Sequence, residues 1–194
     1  MGGKIILVTG GARSGKSTFA EKIALKENNG AAYIATAQVL DDEMRFRVDL
    51  HQKRRPENWQ TFEAPFDADK AIELAGKQYN TILFDCLTIY LSNVICNMSQ
   101  TELLDEKLVN DKVLAAVKNL IKAAVKARAD GKKIIFVTNE VGAGIVPENH
   151  LARLYRDVSG IANQKIAAIA DNVVAVMAGI AVDLKKLAIS PDNL

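Results

Sequence analysis

One short stretch of the sequence combines glycines, a lysine and a serine in a spacing that suits phosphate binding. Residues 10–17 read GGARSGKS and match the pattern GxxxxGK[ST]. In such a loop the glycines let backbone N–H groups curl around a phosphate, the lysine adds a point charge and the serine hydroxyl can bind Mg²⁺. An apolar strand is expected before the stretch and a helix at about Ser17 to Lys26. The pattern predicts a nucleotide-binding loop with a catalytic Lys16, made of Gly10, Gly11, Ala12, Arg13, Ser14, Gly15, Lys16 and Ser17.

A carboxylate follows another apolar run, Ile82 to Phe84. Beside a phosphate loop, an aspartate at the end of such a strand commonly orients Mg²⁺ or its water. The alternative is that Asp85 only caps the helix that follows it. The neighbouring loop favours the metal role, so Ser17 and Asp85 are the candidate Mg²⁺ ligands.

A second cationic stretch, HQKRR at residues 51–55, contains one of the two histidines. The basic side chains of Lys53, Arg54 and Arg55 could hold a polyphosphate. Histidine's ordinary pKa of about 6.5 leaves a neutral imidazole available at neutral pH. Neighbouring guanidinium groups favour that neutral form. On the residues alone, covalent catalysis by His51 and simple phosphate binding both remain open.

A third polar stretch follows a predicted strand. Thr138, Asn139 and Glu140 are expected at the carboxyl edge of the sheet, where ligands bind in open α/β folds. The alternative is a glycine-rich turn that leads into a capped helix. Arg153 and Arg156, further along, could reach a phosphate or form surface ion pairs.

Strands and helices must alternate to position these residues. Helical spacing is found at 105–129, with Gly131 as a C-cap candidate, and at 147–170, with Pro147 at the first helical position. Most of the apolar runs are continuous, which is typical of parallel strands covered on both faces. The pattern predicts a doubly wound, mostly parallel α/β sheet with helices on both faces. The predicted strands are Lys4 to Thr9, Ala31 to Thr36, Thr81 to Asp85, Lys132 to Thr138, and Asn172 to Ala178.

Length and charge restrict the class of protein. With 194 residues, one domain over 1–194 is expected, with an irregular active-site region at about 38–69. Lys and Arg number 25 against 23 Asp and Glu, which argues against a nucleic-acid-coating protein. A RecA-like, nucleic-acid-stimulated ATPase would have only the basic cluster at 53–55 in its favour. A regulatory GTPase is disfavoured because NKxD is absent and the DxxG match at 157–160 falls in a predicted helix.

The cysteines and the apolar runs predict a compartment. The chain has two cysteines, Cys86 and Cys96, which is sparse usage that suits a reducing cytosol. Its apolar runs are too short for a signal-peptide core or a membrane span. We therefore expect a cytoplasmic protein with no membrane partner.

The motifs, taken in order, resemble those of the bifunctional adenosylcobinamide kinase / adenosylcobinamide-phosphate guanylyltransferase family of cobalamin biosynthesis. The resemblance covers nearly the whole chain. The matching stretches are TGGARSGKS (9–17), YIATAQ (33–38), DDEM (41–44), an R…H…RP…W pattern from Arg47 to Trp59, FDCLT (84–88), TNEVGAGIVPEN (138–149) and RDVSGIANQ (156–164).

The resemblance implies a RecA-like P-loop fold, a homotrimer, and adenosylcobinamide, GTP and ATP as substrates with Mg²⁺. It implies that His51 is a nucleophile that attacks the α-phosphate of GTP and carries GMP as a phosphoramidate. Some relatives have two adjacent histidines here, whereas this chain has Leu50 before His51. A monofunctional P-loop small-molecule kinase is the alternative among enzymes. Beyond the loop, the implied nucleotide-binding residues are Thr36, Ala37, Gln38, Gln52, Lys53, Arg54, Arg55, Glu63 and Asp85.

Overall fold

A computed structural model describes residues 2–26, 30–39, 42, 45–46 and 55–193. The predictions for His51 and for the basic residues just after it, Gln52, Lys53 and Arg54, lie outside the described residues. The other predicted site residues are all described.

The strands of the described chain form one seven-stranded sheet in the order β3-β2-β4-β5-β1-β6-β7. All neighbouring strands pair in parallel except β6 and β7, which are antiparallel. This is the predicted mostly parallel α/β sheet. The strands are β1 (Lys4–Gly10), β2 (Ala32–Ala35), β3 (Gln60–Glu63), β4 (Thr81–Asp85), β5 (Lys133–Asn139), β6 (Asn172–Met177) and β7 (Ile180–Asp183).

Helices cover both faces of this sheet. One core cluster packs α1 against one face, and a larger cluster packs α2 to α5 against the other. No helix within the described ranges is long and apolar enough to cross a bilayer. The helices are α1 (Lys16–Ala24), α2 (Ala68–Gln78), α3 (Leu87–Cys96), α4 (Glu106–Ala129), α5 (His150–Ile169) and α6 (Leu184–Leu187), with 3₁₀ turns at Glu102–Leu104 and Pro191–Asn193.

The five predicted strands are confirmed with shifts of about one residue at their ends, but two edge strands were not predicted. Strand β3 lies inside the region expected to be irregular, and β7 follows β6 through a hairpin. Each pairs on one side only, and neither is more than half-buried. Short edge strands therefore lack the continuous apolar run that revealed the central ones.

The observed bounds of α4 and α5 correct one prediction and confirm two others. Pro147 is not the first residue of α5, because the helix begins at His150, where the side chain of Asn149 accepts a hydrogen bond from Ala152 N at 3.0 Å. Asparagine is a strong N-cap, so it sets the boundary. The DxxG match at 157–160 lies inside α5, as expected. Gly131 follows α4 at φ +80°, as a C-terminal glycine should.

The strand register brings the candidate residues to one edge of the sheet. Ala35 of β2 is level with Glu63 on one side and with Asp85 on the other. Gly10 of β1 is level with Asn139 of β5. The carboxyl ends of these five strands therefore form a continuous row.

Candidate functional site

The loop between β1 and α1 has the geometry of an anion cradle. Gly15 is the N-cap of α1 at φ +96° and provides no side-chain cap, and no acidic residue stands in the first turn. Arg13 also adopts a positive φ, of 56°. The first amides of a helix have no intrahelical partner and lie at the positive end of the helix dipole. These amides therefore form a site at the start of α1 that suits a phosphate group.

Two groups beside this loop are buried and lack a hydrogen-bond partner among the described residues. They are Thr9 Oγ1, just before the loop, and Ser14 Oγ, within it. Lys16 is 9% exposed, and its Nζ donates to the Gly11 carbonyl at 3.2 Å. Buried polar groups are rarely left unpaired, so the loop has polar capacity that a bound phosphate could use.

The β6–β7 hairpin packs against one side of the β1–α1 loop. This contact was not predicted from the sequence. Gly179 N donates to Ser14 O at 2.9 Å. A Cβ on Gly10 would lie 2.4 Å from the Val176 carbonyl oxygen and 2.6 Å from Ser14 Oγ. Ala178 and Gly179 make the turn at φ of +50° and +80°. Ala-Gly is a weaker hairpin signal than Asn-Gly or Asp-Gly, so the sequence did not reveal this support.

Asp85 and Ser17 offer oxygen ligands of the kind that Mg²⁺ prefers. Asp85 lies on the α1 face of the sheet, two residues after Leu83, which packs in the α1 cluster. Helix α3 begins at Leu87 with Cys86 as its N-cap, so Asp85 is not the residue that caps this helix. The described residues contain no group of three or more His, Cys, Asp or Glu that could hold a metal ion. A magnesium site of one carboxylate, one hydroxyl and substrate phosphates needs no such group.

A buried tyrosine, which sequence reasoning also missed, contacts Asp85. The Tyr33 hydroxyl donates to Asp85 Oδ2 at 2.9 Å, and the Arg55 guanidinium carbon lies 3.4 Å from the centroid of the Tyr33 ring. Burial raises the pKa of Tyr33 well above its ordinary value, the Asp85 carboxylate raises it further, and Arg55 opposes both. The hydroxyl therefore remains a hydrogen-bond donor at neutral pH. Only the aromatic position within strand β2 could have suggested this contact.

Thr36 is completely buried, and its hydroxyl is used within the protein. Its Oγ1 accepts from Cys86 N at 2.7 Å and donates to Cys86 O at 2.9 Å, while its carbonyl accepts from Asn93 Nδ2 at 2.7 Å. The residue therefore ties the end of β2 to the end of β4. Ala37 and Gln38, half-buried, come next along the same edge, and Glu63 is exposed at the end of β3. Burial also raises the pKa of the Cys86 thiol to about 11, which keeps it protonated.

The polar residues at the end of β5 are hydrogen-bonded to α5 and to α3. Thr138 Oγ1 donates to Asn163 Oδ1 at 2.7 Å, Asn163 Nδ2 donates to Asn139 O at 3.2 Å, and Asn139 Nδ2 donates to Thr88 Oγ1 at 2.8 Å. Glu140 accepts from Gly142 N at 2.8 Å. These side chains lie at the predicted edge, but their bonds serve the turn and the helix contact.

The two arginines of α5 differ in their surroundings. Arg153 Nη1 donates to the carbonyl oxygens of Pro147 and Glu148, so it closes the preceding loop. Arg156 has a buried Nη1 without a hydrogen-bond partner in the described part of the chain. His150, the second histidine, lies 2.7 Å from Glu106 Oε1.

Comparison with known proteins supports both the fold indicated by the sheet and the family indicated by the sequence motifs. Residues 6–184 match the family model described as cobinamide kinase / cobinamide phosphate guanyltransferase. The chain is 40% identical over 184 residues to the bifunctional adenosylcobalamin biosynthesis protein CobU of Escherichia coli, covering 93% of this chain and 99% of that protein. The CobU protein of Salmonella typhimurium is 41% identical with the same coverage.

A solved structure, the RadB recombinase, superposes with a TM-score of 0.52 at 12% identity, covering 90% of this chain and 74% of that chain. At this identity the likeness concerns the fold alone, and it confirms the RecA-like P-loop prediction. The match to the family model and to two relatives at 40% identity or more covers nearly the whole chain. A match of this length and identity indicates the function as well as the fold. The chain therefore belongs to the cobinamide kinase / cobinamide phosphate guanyltransferase family.

Proposed function

We propose that this chain phosphorylates adenosylcobinamide and then transfers GMP from GTP to the new phosphate, with both reactions at the carboxyl edge of the sheet. The observation that carries the proposal is the family match over residues 6–184. It falls on a chain whose β1–α1 loop forms an anion cradle at the same edge of the sheet as Asp85. One nucleotide site can serve both reactions, because in each reaction a nucleophile attacks a phosphorus atom of a bound nucleoside triphosphate.

In the first reaction the hydroxyl oxygen of the aminopropanol arm attacks the γ-phosphorus of ATP or GTP. The bond from that phosphorus to the β–γ bridging oxygen breaks, the nucleoside diphosphate leaves, and the hydroxyl proton is released. Lys16 and the first amides of α1 stabilise the charge that develops on the transferred group. When bound by Ser17 and Asp85, Mg²⁺ supplies further charge stabilisation at the phosphates.

In the second reaction a ring nitrogen of His51 attacks the α-phosphorus of GTP. A phosphorus–nitrogen bond forms, the bond to the α–β bridging oxygen breaks, and pyrophosphate leaves. An oxygen of adenosylcobinamide phosphate then attacks the same phosphorus, which breaks the phosphorus–nitrogen bond and gives adenosylcobinamide-GDP. The covalent intermediate divides one difficult displacement into two easier ones.

We assign further residues to this nucleotide site. We assign nucleotide contacts to Gly10 to Ser17, to Ala37, Gln38 and Glu63, and to Gln52 to Arg55. The bonds of Thr36 to Cys86 and Asn93 support a role in holding the end of β2 rather than in direct contact through its hydroxyl. The chain would act as one domain, as a homotrimer, in the cytoplasm where its nucleotide substrates are found.

A labelling experiment tests the two-reaction scheme. The protein is incubated with adenosylcobinamide, Mg²⁺ and GTP labelled in either the γ- or the α-phosphate. We expect γ-label in the corrinoid first, followed by α-label in the corrinoid diphosphate product. Label from the γ-position alone would favour a monofunctional kinase. Hydrolysis that single-stranded DNA accelerates, with no label in the corrinoid, would favour a RecA-like ATPase and overturn the proposal.

A further inference from the structure

A line of three side chains on the α1 face of the sheet joins two parts of the proposed site. The Arg55 Cζ atom lies 3.4 Å from the centroid of the Tyr33 ring, and the Tyr33 hydroxyl donates to Asp85 Oδ2 at 2.9 Å. Arg55 is fixed from a second side, because its Nη1 donates to Thr61 Oγ1 at 2.9 Å. Tyr33 thus contacts a proposed metal ligand, Asp85, and a proposed nucleotide contact, Arg55.

The hydroxyl of Tyr33 has a role that packing does not require. The residue is 4% exposed and belongs to the same core cluster as Leu83 and Cys86, where a phenylalanine ring would fill the space equally well. A buried hydroxyl is unfavourable unless it forms a hydrogen bond, and its partner here is the Asp85 carboxylate. Hydrogen bonds to a carboxylate are short and strong. The hydroxyl therefore holds Asp85 in one orientation.

The ring of Tyr33 holds Arg55 without using its hydrogen-bond donors. A guanidinium stacked on an aromatic face is attracted by the ring electrons, and this attraction uses none of its N–H groups. Arg55 Nε is buried and has no hydrogen-bond partner among the residues the structure describes. The stack therefore presents an oriented cation with an unused donor next to the Tyr33–Asp85 hydrogen bond.

We propose that Tyr33 is a positioning residue for both reactions of this site. Its hydroxyl orients Asp85 for metal-dependent phosphoryl transfer, and its ring holds Arg55, a proposed nucleotide contact, for guanylyl transfer. This inference rests on the proposed function, because it takes Asp85 as a metal ligand and His51 as the nucleophile.

Two substitutions separate the two contacts. Tyr33→Phe removes the hydroxyl and keeps the ring, whereas Tyr33→Leu removes both. Tyr90→Phe is the matched control, because Tyr90 is equally buried but packs on the opposite face of the sheet. Nucleotide affinity is measured by equilibrium titration with and without Mg²⁺, and the kinase and self-guanylylation rates are measured separately.

For Tyr33→Phe we expect the gain in nucleotide affinity from Mg²⁺ to fall by about 10-fold or more, as when other partners of a metal ligand are removed. Metal-free affinity and the rate of self-guanylylation should change little. For Tyr33→Leu we expect the same loss together with a self-guanylylation rate that is lower by about 10-fold. Tyr90→Phe should behave as the parent protein in all three measurements.

Two results would overturn the inference. One is a Tyr33→Phe protein whose Mg²⁺-dependent affinity equals that of the parent. The other is a Tyr33→Leu protein that guanylylates itself as fast as Tyr33→Phe. If the parent protein neither phosphorylates the corrinoid nor guanylylates itself, the proposed function fails, and the Mg²⁺-dependent binding still decides whether Tyr33 orients Asp85.

Discussion

The two halves of the carboxyl edge of the sheet differ in whether their buried polar groups are hydrogen-bonded within the protein. On the β1–α1 side, the buried hydroxyls of Thr9 and Ser14 have no hydrogen-bond partner within the described chain. On the β5–α5 side, Thr138 donates to Asn163, and Asn163 in turn anchors Asn139. Thr9 and Thr138 are direct partners in the register of neighbouring strands. Equivalent positions on adjacent strands therefore differ in whether the protein itself uses their polar groups.

This difference separates a binding surface from a support. Polar groups that are left unpaired at the phosphate loop can be satisfied by a ligand, whereas the network at the end of β5 is already hydrogen-bonded and holds α5 to the sheet. A polar residue at the carboxyl edge is therefore not by itself a ligand-binding residue. The pairing of its donors and acceptors decides the role.

Substitution of Lys16 should have the largest effect on activity. Lys16→Ala removes the charge placed at the phosphates, and we expect about a 10²- to 10³-fold loss in both reactions. Lys22→Ala is the control, since Lys22 is an exposed lysine on the same helix. Steady-state rates of both half-reactions are the measurement. A Lys16→Ala protein with more than half of the parent's activity would contradict the distinction between a ligand-binding β1–α1 side and a structural β5–α5 side.

Substitution of Gly10 should distort the binding side. In Gly10→Ala the added Cβ would lie 2.4 Å from the Val176 carbonyl oxygen, so the loop must shift away from the β6–β7 hairpin. We expect a loss of about 1–3 kcal/mol in the free energy of unfolding and weaker nucleotide binding. In Gly11→Ala the Cβ would meet nothing within 4 Å, so this variant should keep the stability of the parent. Denaturant unfolding and nucleotide titration compare the two, and equal effects of the two substitutions would contradict the expectation.

A matched pair of threonines tests the comparison itself. Thr138→Val leaves Asn163 Oδ1 without its donor, and we expect a loss of about 1–3 kcal/mol in stability with little change in nucleotide affinity. Thr9→Val removes a hydroxyl that has no described partner, so stability should change by no more than about 0.5 kcal/mol. Urea unfolding measures both. Equal destabilisation by the two substitutions would show that the two sides do not differ.

The smallest effect is expected at an ion pair outside both regions. A hydrogen bond from Lys112, with further bonds from Ser99, lowers the pKa of Glu102 to about 2. Because the folded pKa lies below the ordinary value, the stabilisation is present above about pH 4.5 and is lost as the pH falls toward 2. Glu102→Gln should therefore be slightly less stable than the parent at pH 7, by an amount that shrinks with added salt and at low pH. Both reactions should be unchanged, and an activity loss would contradict the placement of this pair outside the site.

The sequence predicts the parts of this site that are encoded locally. The phosphate loop, the central strands and Asp85 each depend on a continuous stretch of residues, so pattern and spacing are sufficient to find them. The Tyr33–Asp85 hydrogen bond joins residues 52 positions apart, and the hairpin behind the loop is more than 160 residues away along the chain. Contacts of this kind depend on strand order and register, which periodicity does not specify.

The same limit applies to the polar residues at the end of β5. Thr138 and Asn139 are correctly expected at the sheet edge, because the end of an apolar strand is visible in the sequence. Their role depends on Asn163, which reaches them only because α5 folds back along the sheet. The choice between ligand contact and structural bond therefore required the three-dimensional structure.

The most direct test of the proposed guanylyl transfer is the position of the covalent adduct. The parent protein, His51→Ala and His150→Ala are each incubated with GTP labelled in the α-phosphate, and bound label is tested for stability in acid and base. We predict an acid-labile, base-stable adduct on the parent and on His150→Ala, and none on His51→Ala. An adduct that persists in His51→Ala would contradict the assignment of His51 as the nucleophile.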